Sequence, residues 1–270
     1  MKLSEAQKIL QLSDIESARH DAMEIFTELG GISRSDLMIS DVDCFDERVI
    51  NAVRERSERK PLQYIIGKTC FYNEIYSVNE NVLIPRSDTE ILVEYAVKHI
   101  IDGARFLDLC TGSGCVGIST LKNTKNTTAT LVDISKDALE VAKKNAELNG
   151  VFEKVNFVCS DVLENTVEGE FSAVLSNPPY VKNSVYQTLE KEIFCEPSIA
   201  FLGGEDGCDF YREITKKYKN KISEDGFIAY EIGYDQADAL LCIAEQEGMT
   251  CQIIKDYSGN DRVAVLKREI

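Results

Sequence analysis

The chain has 270 residues and carries 30 lysine and arginine residues against 46 aspartate and glutamate residues, so its formal net charge is −16. Hydrophobic residues make up 44% and charged residues 28%, which is typical of a folded globular protein and excludes a disordered chain. The length predicts one large domain or two unequal ones, and the acidic balance argues against a protein that follows a nucleic-acid backbone.

The amino-terminal residues are interrupted at once by acidic and polar side chains, so they lack the apolar core of a signal peptide. No apolar run approaches the roughly 20 residues of a membrane span. We therefore expect a soluble cytoplasmic protein with no membrane partner. The nine cysteines include no Cys-x-x-Cys pair, and there are only two histidines. This composition predicts reduced cysteines and no metal site, and it disfavours Ser-His-Asp and Cys-His mechanisms.

Residues 1–60 are predicted to form a small all-α domain. Apolar residues recur at helical spacing between Ala18 and Leu29, and Gly30-Gly31 ends that segment. A second amphipathic run extends from about Asp43 to Arg59 before Pro61. This region contains no catalytic cluster, so we expect it to dock the substrate.

Residues 61–88 are predicted to be a β-hairpin linker, because aromatic and β-branched residues surround the turn Asn79-Glu80-Asn81. A helix follows, with Ser87 or Asp88 as its expected cap and Glu90 near its positive end.

From residue 89 to residue 270 the pattern predicts an α/β domain with a doubly wound, Rossmann-like sheet and an antiparallel hairpin at its end. Short apolar segments alternate with helical ones. The predicted strands are Ala104–Leu109, Thr128–Asp133, Val155–Cys159, Phe171–Ser176, Phe227–Ile232, Thr250–Lys255 and Arg262–Leu266. The predicted helices include Ser135–Asn149, Phe210–Lys221 and Gln236–Glu247.

A glycine-rich segment, Asp108–Gly117, follows the first strand and contains the Gly-x-Gly-x-x-Gly pattern of a nucleotide-binding turn. Asp133 lies about 20 residues further on, where a carboxylate can accept hydrogen bonds from both ribose hydroxyls. These features predict an adenosine-containing cofactor, either NAD or S-adenosylmethionine. Asp108 favours the latter, because a carboxylate there would repel a pyrophosphate and suit an ammonium group. The expected binding residues of the turn are Asp108, Cys110, Thr111, Gly112, Ser113 and Gly114.

The loop after the third strand contains Asp161 and Val162. We expect Asp161 to accept the adenine amino proton and Val162 to pack on the ring. The alternative is that Asp161 only stabilises a turn.

A second motif, Asn177-Pro178-Pro179-Tyr180, directly follows an apolar strand, where ligands bind in open α/β sheets. Neither proline has an N–H to donate. The Asn177 side-chain oxygen and the Pro178 carbonyl therefore form a pair of acceptors that matches an –NH₂ group. Tyr180 adds an aromatic face for a planar amide or base. All four residues are candidate catalytic residues, and Asn177 is also expected to border the cofactor.

At these two motifs the chain resembles the class I S-adenosylmethionine-dependent methyltransferases that modify planar –NH₂ nitrogens. The wider pattern resembles the HemK family, the peptide chain release factor glutamine methyltransferases. The segments that carry this resemblance are Arg59–Gly67, Leu83–Glu90, Glu196–Phe201 and Asp256–Arg262.

The resemblance implies methyl transfer to the side-chain amide nitrogen (N5) of the glutamine in a Gly-Gly-Gln loop of a release factor. It implies S-adenosylmethionine as cofactor, and the net charge of −16 argues against a direct nucleic-acid partner. One departure is Cys110, which stands where the family usually has glycine; this change is tolerable if Cys110 has an ordinary φ angle, and its small side chain could still line the cofactor site.

Four alternatives remain at the sequence level. The target could be a nucleic-acid amino group, supported only by the cluster Lys216, Lys217, Lys219 and Lys221. It could also be a glutamine of a ribosomal protein. More remote alternatives are an NAD-dependent dehydrogenase and a non-catalytic cofactor-binding protein.

Overall fold

The protein is described from a computed structural model that covers residues 1–269. The chain divides into two compact units. The first comprises Met1–Lys68 with Glu190–Cys195, and the second comprises Thr69–Leu189 with the chain from Glu196 onward.

The first unit is helical, which confirms the predicted fold class of this region. Its helices are α1 (Leu3–Leu12), α2 (Ala18–Glu28), α3 (Arg34–Ile39), α4 (Glu47–Ser57) and α5 (Leu62–Ile66). Apolar residues spaced three and four apart, including Ala22, Ile25 and Phe26, form its core. Asp46 caps α4 by accepting a hydrogen bond from the Arg48 backbone N–H at 2.8 Å.

A buried ion pair connects two helices of this unit. The Arg56 Nε atom of α4 donates to Asp21 Oδ2 of α2 at 2.7 Å, and both residues are buried. The same guanidinium donates to the Lys60 carbonyl at 3.2 Å. Charges removed from water need such partners, because an unpaired buried charge is strongly destabilising.

The segment predicted as a linker, residues 61–88, contains a hairpin, but the predicted position of its turn is wrong. Strands β1 (Lys68–Phe71) and β2 (Glu74–Ser77) form a two-stranded sheet. The turn between them is Tyr72-Asn73, and both residues have positive φ angles, as tight hairpin turns require. Asn79 does close a turn, since its carbonyl accepts from the Val82 N–H at 3.2 Å. The residues directly after this turn do not form a strand, because the Ile84 N–H donates to Glu196 Oε2 at 2.9 Å and not to a neighbouring strand.

The second unit contains a seven-stranded sheet in the order β5-β4-β3-β6-β7-β9-β8. Strands β3 to β7 are parallel, whereas β9 lies antiparallel between β7 and β8. This topology confirms the predicted doubly wound sheet and its terminal antiparallel hairpin. The strands are β3 (Arg105–Leu109), β4 (Thr128–Asp133), β5 (Val155–Cys159), β6 (Phe171–Ser176), β7 (Ile222–Glu231), β8 (Met249–Lys255) and β9 (Asp261–Arg268).

Helices cover both faces of this sheet. Side chains alternate between the faces along each strand, so Phe106 and Leu107 belong to different core clusters. The helices are α6 (Glu90–His99), α7 (Cys115–Asn123), α8 (Lys136–Leu148), α9 (Asn183–Tyr186), α10 (Asp209–Tyr218) and α11 (Ala237–Gln246). Helices occupy both faces of the sheet, so polar groups can gather beyond the carboxyl ends of β3 and β6. At this position the order in which the strands are added to the sheet reverses.

The predicted cap of α6 is wrong. Residues Ser87–Thr89 form a short 3₁₀ turn that leads into α6, and neither Ser87 nor Asp88 caps it through its side chain. Asp88 lies instead 3.3 Å from the Arg262 guanidinium, which draws its carboxylate away from the helix start. Among residues 1–269, no helix combines the length and the apolar character needed to cross a membrane.

Candidate active site

A cavity of about 600 Å³ lies beyond the carboxyl ends of the parallel strands in the second unit. This volume falls within the range of small-ligand sites. Its wall brings together predicted residues from four loops, namely Cys110, Gly112, Asp133, Asp161, Val162, Asn177 and Pro179. A side cavity of about 40 Å³ adjoins them and is bordered by Asp108, Thr111 and Ser113.

The glycine-rich turn follows β3. Gly112 and Gly114 have positive φ angles of 53° and 83°, which glycine adopts at little cost. Gly114 packs closely at the start of α7, because a Cβ atom on it would lie 2.7 Å from Ile118 Cδ1. The structure thus gives Gly114 a packing role, and its contact with a cofactor stays a prediction.

Cys110 does not have the ordinary φ angle that would make its replacement of glycine tolerable. Its φ angle is +58°, in the left-handed region that favours glycine. The turn bends immediately after β3, so a side chain must be accommodated there at some conformational cost. Burial raises the pKa of the Cys110 thiol well above its usual range, which keeps the thiol protonated at neutral pH.

Asp108 lies buried at the end of β3. Its Oδ2 atom accepts hydrogen bonds from Thr111 Oγ1 at 2.5 Å and from the Gly117 N–H at 2.9 Å. Burial raises the pKa of its carboxyl to about 7, and the neighbouring charge of Asp133 contributes to the rise. The two hydrogen bonds act in the opposite direction. A buried carboxylate of this kind is suited to a cationic partner.

Asp133, at the end of β4, has its orientation fixed by two backbone amides. Gly112 N–H donates to Oδ2 at 2.8 Å and Ser135 N–H donates to Oδ1 at 2.9 Å. Burial raises its pKa, and these amides oppose the rise. Each carboxylate oxygen keeps a free lone pair. The side chain can therefore accept further hydrogen bonds from a ligand in the cavity.

Asp161 and Val162 border the same cavity after β5. Asp161 Oδ1 accepts from the Leu163 N–H at 2.8 Å, so the side chain stabilises its own turn while it borders the cavity. Val162 is buried and belongs to one of the two sheet cores. This loop can thus present one acceptor and one apolar surface to a ligand.

The Asn177 turn follows β6, and Asn177 and Pro179 contribute to the cavity wall. Tyr180 packs against the core cluster that contains Tyr211, and its hydroxyl donates to Glu231 Oε1 at 3.2 Å. Burial raises the pKa of the Tyr180 hydroxyl. The motif therefore combines residues that face the cavity with a tyrosine anchored in the core.

Residues that the sequence analysis missed hold this turn in place. The Gln236 Nε2 atom donates to the carbonyls of Tyr180 and Gly207, each at 3.1 Å. Its Oε1 atom accepts from the Gly233 N–H at 2.8 Å and lies 3.2 Å from the Tyr211 hydroxyl, whose single proton is closer to the Glu231 carbonyl at 3.0 Å. Gln236 therefore connects the turn to two neighbouring segments through its side-chain amide.

Two further missed residues, Thr89 and Glu231, lie beside the turn. Asn177 Nδ2 donates to Thr89 Oγ1 at 3.3 Å. Burial raises the pKa of the Glu231 carboxyl, while the Thr89 hydroxyl, the positive charge of Arg262 and the Tyr180 hydroxyl oppose the rise. The only sequence signal for Glu231 is a carboxylate that closes the otherwise apolar run Phe227–Tyr230 at the carboxyl end of β7.

The comparisons with known proteins agree with this architecture. The family model of the methyltransferase small domain matches residues 86–203, and that of the PrmC N-terminal domain matches residues 2–67. A ribosomal protein L11 methylase from Lactobacillus delbrueckii shares the fold, with a TM-score of 0.52 and 16% identity over 68% of this chain and 81% of that one. The fold and the domain match define a methyltransferase.

Two relatives show which family of methyltransferases the chain belongs to. A release factor glutamine methyltransferase of Thermodesulfovibrio yellowstonii is 37% identical over 257 residues, which cover 92% of each chain. Another, of Leptospira interrogans, is 37% identical over 278 residues and covers 98% of this chain and 96% of its own. The chain belongs to the release factor glutamine methyltransferase family.

Proposed function

We propose that the protein transfers a methyl group from S-adenosylmethionine to the side-chain amide nitrogen of a release-factor glutamine, the one in the Gly-Gly-Gln motif. The observation that carries this proposal is the position of Asn177. Its carboxamide borders the cavity and is followed by two prolines that have no N–H. The names of the relatives support the choice of substrate.

The cavity residues fit S-adenosylmethionine. Asp133 offers acceptors for ribose hydroxyls, and Asp161 with Val162 offers an acceptor and an apolar face for adenine. Asp108 is a buried carboxylate whose raised pKa would fall beside an ammonium group. S-adenosylmethionine supplies an electrophilic methyl group on a sulfonium.

The substrate amide is a poor nucleophile, because the nitrogen lone pair is delocalised into the carbonyl. We infer that Asn177 Oδ1 and the Pro178 carbonyl each accept one of its two N–H bonds. This arrangement increases the electron density on nitrogen and fixes the direction of the lone pair. Tyr180 is proposed to hold the plane of the amide. Orientation of this kind contributes at most about 7–11 kcal/mol to lowering the barrier.

Proton release needs no strong base in this mechanism. An amide nitrogen that has gained a methyl group carries positive charge and loses a proton readily. An acceptor already hydrogen-bonded to the N–H, such as Asn177 Oδ1, lies on the path of that proton. The mechanism therefore requires no histidine.

The amino-terminal region, residues 1–60, is proposed to dock the release factor, with residues 61–88 as linker and 89–270 as the catalytic domain. The lysine cluster gives little support to a nucleic-acid substrate. Lys217 Nζ donates to the Val162 carbonyl at 3.0 Å, Lys219 pairs with Glu247 at 2.8 Å and Lys221 pairs with Glu168 at 2.9 Å. We propose that the protein acts in the cytoplasm and binds no nucleic acid directly.

The test is methyl transfer from labelled S-adenosylmethionine to a purified, unmodified release factor, with mass spectrometry to locate the label. We expect one methyl group on the glutamine of the Gly-Gly-Gln motif. Asn177→Ala should abolish transfer while cofactor affinity stays within a few-fold. Asn183→Ala is the matched control, because Asn183 borders the same cavity and is exposed.

The outcomes separate the parts of the proposal. Full activity of Asn177→Ala would refute the mechanism. Cofactor binding without transfer to the release factor would refute the substrate, and ribosomal proteins and nucleic acids would then be assayed under the same conditions. Binding of NAD in place of S-adenosylmethionine would refute the cofactor.

A further inference from the structure

The orientation of the Asn177 carboxamide decides whether the cavity presents an acceptor or a donor. A carboxamide has an oxygen that accepts and an –NH₂ group that donates, and rotation by 180° exchanges them. Since Nδ2 donates to Thr89 Oγ1 at 3.3 Å, the Oδ1 atom is left for the cavity. In the reverse orientation the –NH₂ group of Asn177 would face the –NH₂ group of the substrate amide.

Thr89 can enforce this orientation only if its hydroxyl acts as an acceptor toward Asn177. A hydroxyl has one proton and two lone pairs, so its proton must point to another acceptor. Thr89 is 1% exposed, which leaves little access for water. Interaction with the Thr89 hydroxyl lowers the pKa of the Glu231 carboxyl, against the larger rise that burial causes, which makes Glu231 the candidate acceptor.

Glu231 has the properties of such an acceptor. It is buried at the end of β7, and its Oε1 atom accepts from the Tyr180 hydroxyl at 3.2 Å. Its Oε2 atom has no hydrogen-bond partner of normal geometry among residues 1–269 and thus has free capacity. Burial raises the pKa of the Glu231 carboxyl, and the nearby positive charge of Arg262 opposes that rise; in its charged form the carboxylate cannot donate a proton to Thr89.

We propose that Thr89 and Glu231 are positioning residues that fix the Asn177 carboxamide with its oxygen toward the substrate amide. The Thr89 proton points to Glu231, and the Thr89 lone pair then accepts from Asn177 Nδ2. The same Glu231 side chain holds the Tyr180 hydroxyl, so one carboxylate orders both ends of the motif. This inference rests on the proposed function, because it assigns the Asn177 oxygen to the substrate.

The experiment compares single-turnover and steady-state methylation of a release factor by Thr89→Val, Thr89→Ser and Thr215→Val. Valine has the shape of threonine but lacks the hydroxyl. Thr215 is a matched control, because it is fully buried and its hydroxyl bonds to the Tyr230 hydroxyl at 2.9 Å, away from the cavity wall. Thermal unfolding and S-adenosylmethionine affinity are measured for each variant.

We expect kcat of Thr89→Val to fall about tenfold to hundredfold, with cofactor affinity and the KM for the release factor within threefold of the wild type. Thr89→Ser should restore kcat to within a few-fold, since serine keeps the hydroxyl. Thr215→Val should keep the wild-type kcat. Glu231→Gln is expected to lower kcat as well, because its –NH₂ group can donate to Thr89 and turn the threonine proton toward Asn177.

Three results would overturn the inference. They are wild-type kcat in folded Thr89→Val, failure of Thr89→Ser to keep activity near that of the wild type, and an equal loss in Thr215→Val. Should Thr89→Val not fold, Glu231→Gln decides alone. An active Asn177→Ala variant would refute the proposed function itself. An inactive Asn177→Ala variant beside a fully active Thr89→Val variant refutes only the positioning role.

Discussion

The buried carboxyl of Asp108 predicts that cofactor affinity depends on pH. Burial raises its pKa to about 7, so it is about half ionised at pH 7 in the ligand-free protein. A cofactor ammonium group would bind the ionised form. Acidification therefore weakens binding, because the carboxyl must first lose a proton.

The magnitude follows from the ionised fraction. Between pH 7 and pH 5.5 this fraction falls from about one half to about 3%, so the apparent dissociation constant should rise roughly 15-fold. The stability of the ligand-free protein has the opposite dependence. The folded-state pKa is above the unfolded value of 3.8, so the folded state holds the proton longer, and the contribution of Asp108 to stability falls as pH rises from about 4 through 7.

Equilibrium dialysis of S-adenosylmethionine at pH 7, 6.5, 6 and 5.5 measures the predicted change. Asp108→Asn should bind weakly at pH 7 and lose the pH dependence, because asparagine does not titrate in this range. Asp133→Asn is the control for the second carboxyl, whose pKa is also raised. The prediction fails if the affinity of the wild type is the same at all four pH values. It also fails if the affinity of Asp108→Asn changes with pH as steeply as that of the wild type. Either result would show that Asp108 does not hold the ammonium group.

Three further predictions concern single contacts. Asp133→Ala should weaken S-adenosylmethionine binding about tenfold to hundredfold, since it removes acceptors for two hydroxyls; unchanged affinity in a titration would place the ribose elsewhere. Cys110→Gly should be more stable than Cys110→Ala by about 1 kcal/mol in denaturant unfolding, because φ is +58° there, and equal stabilities would contradict backbone strain. Arg56→Ala should lower the free energy of unfolding by about 3–5 kcal/mol, because it leaves Asp21 buried and unpaired; a cost below 1 kcal/mol would refute that reasoning.

Much of the sheet could be predicted from the sequence. Strands β4, β5 and β6 have the bounds expected from their runs of β-branched, aromatic and other apolar residues. The same logic placed Asp133 at the end of one strand and Asn177 directly after another, and both border the cavity. The local sequence pattern was sufficient for these two residues, because the position of each is determined by the strand next to it in the sequence.

The errors arose where the structure depends on distant partners. The Asn79 turn resembles a hairpin turn locally, but the chain after it bonds to Glu196, which is 112 residues from Ile84. The conformation of Cys110 follows from the bend after β3, which no composition rule indicates. Thr89 and Asn177 are 88 residues apart, so only the fold shows that they touch.

The two prolines of the turn also bear on the choice between glutamine and glutamate. Pro178 and Pro179 cannot donate a backbone hydrogen bond, and in the proposed mechanism the Asn177 oxygen accepts one from the substrate. A side-chain carboxylate in the substrate position would meet oxygen lone pairs with no hydrogen between them. Sites that hydrogen-bond an N–H can disfavour an analogue that lacks it by about 10⁴–10⁵-fold. Deamidation of the target glutamine would therefore remove a release factor from the pool of substrates, although only one side-chain group has changed.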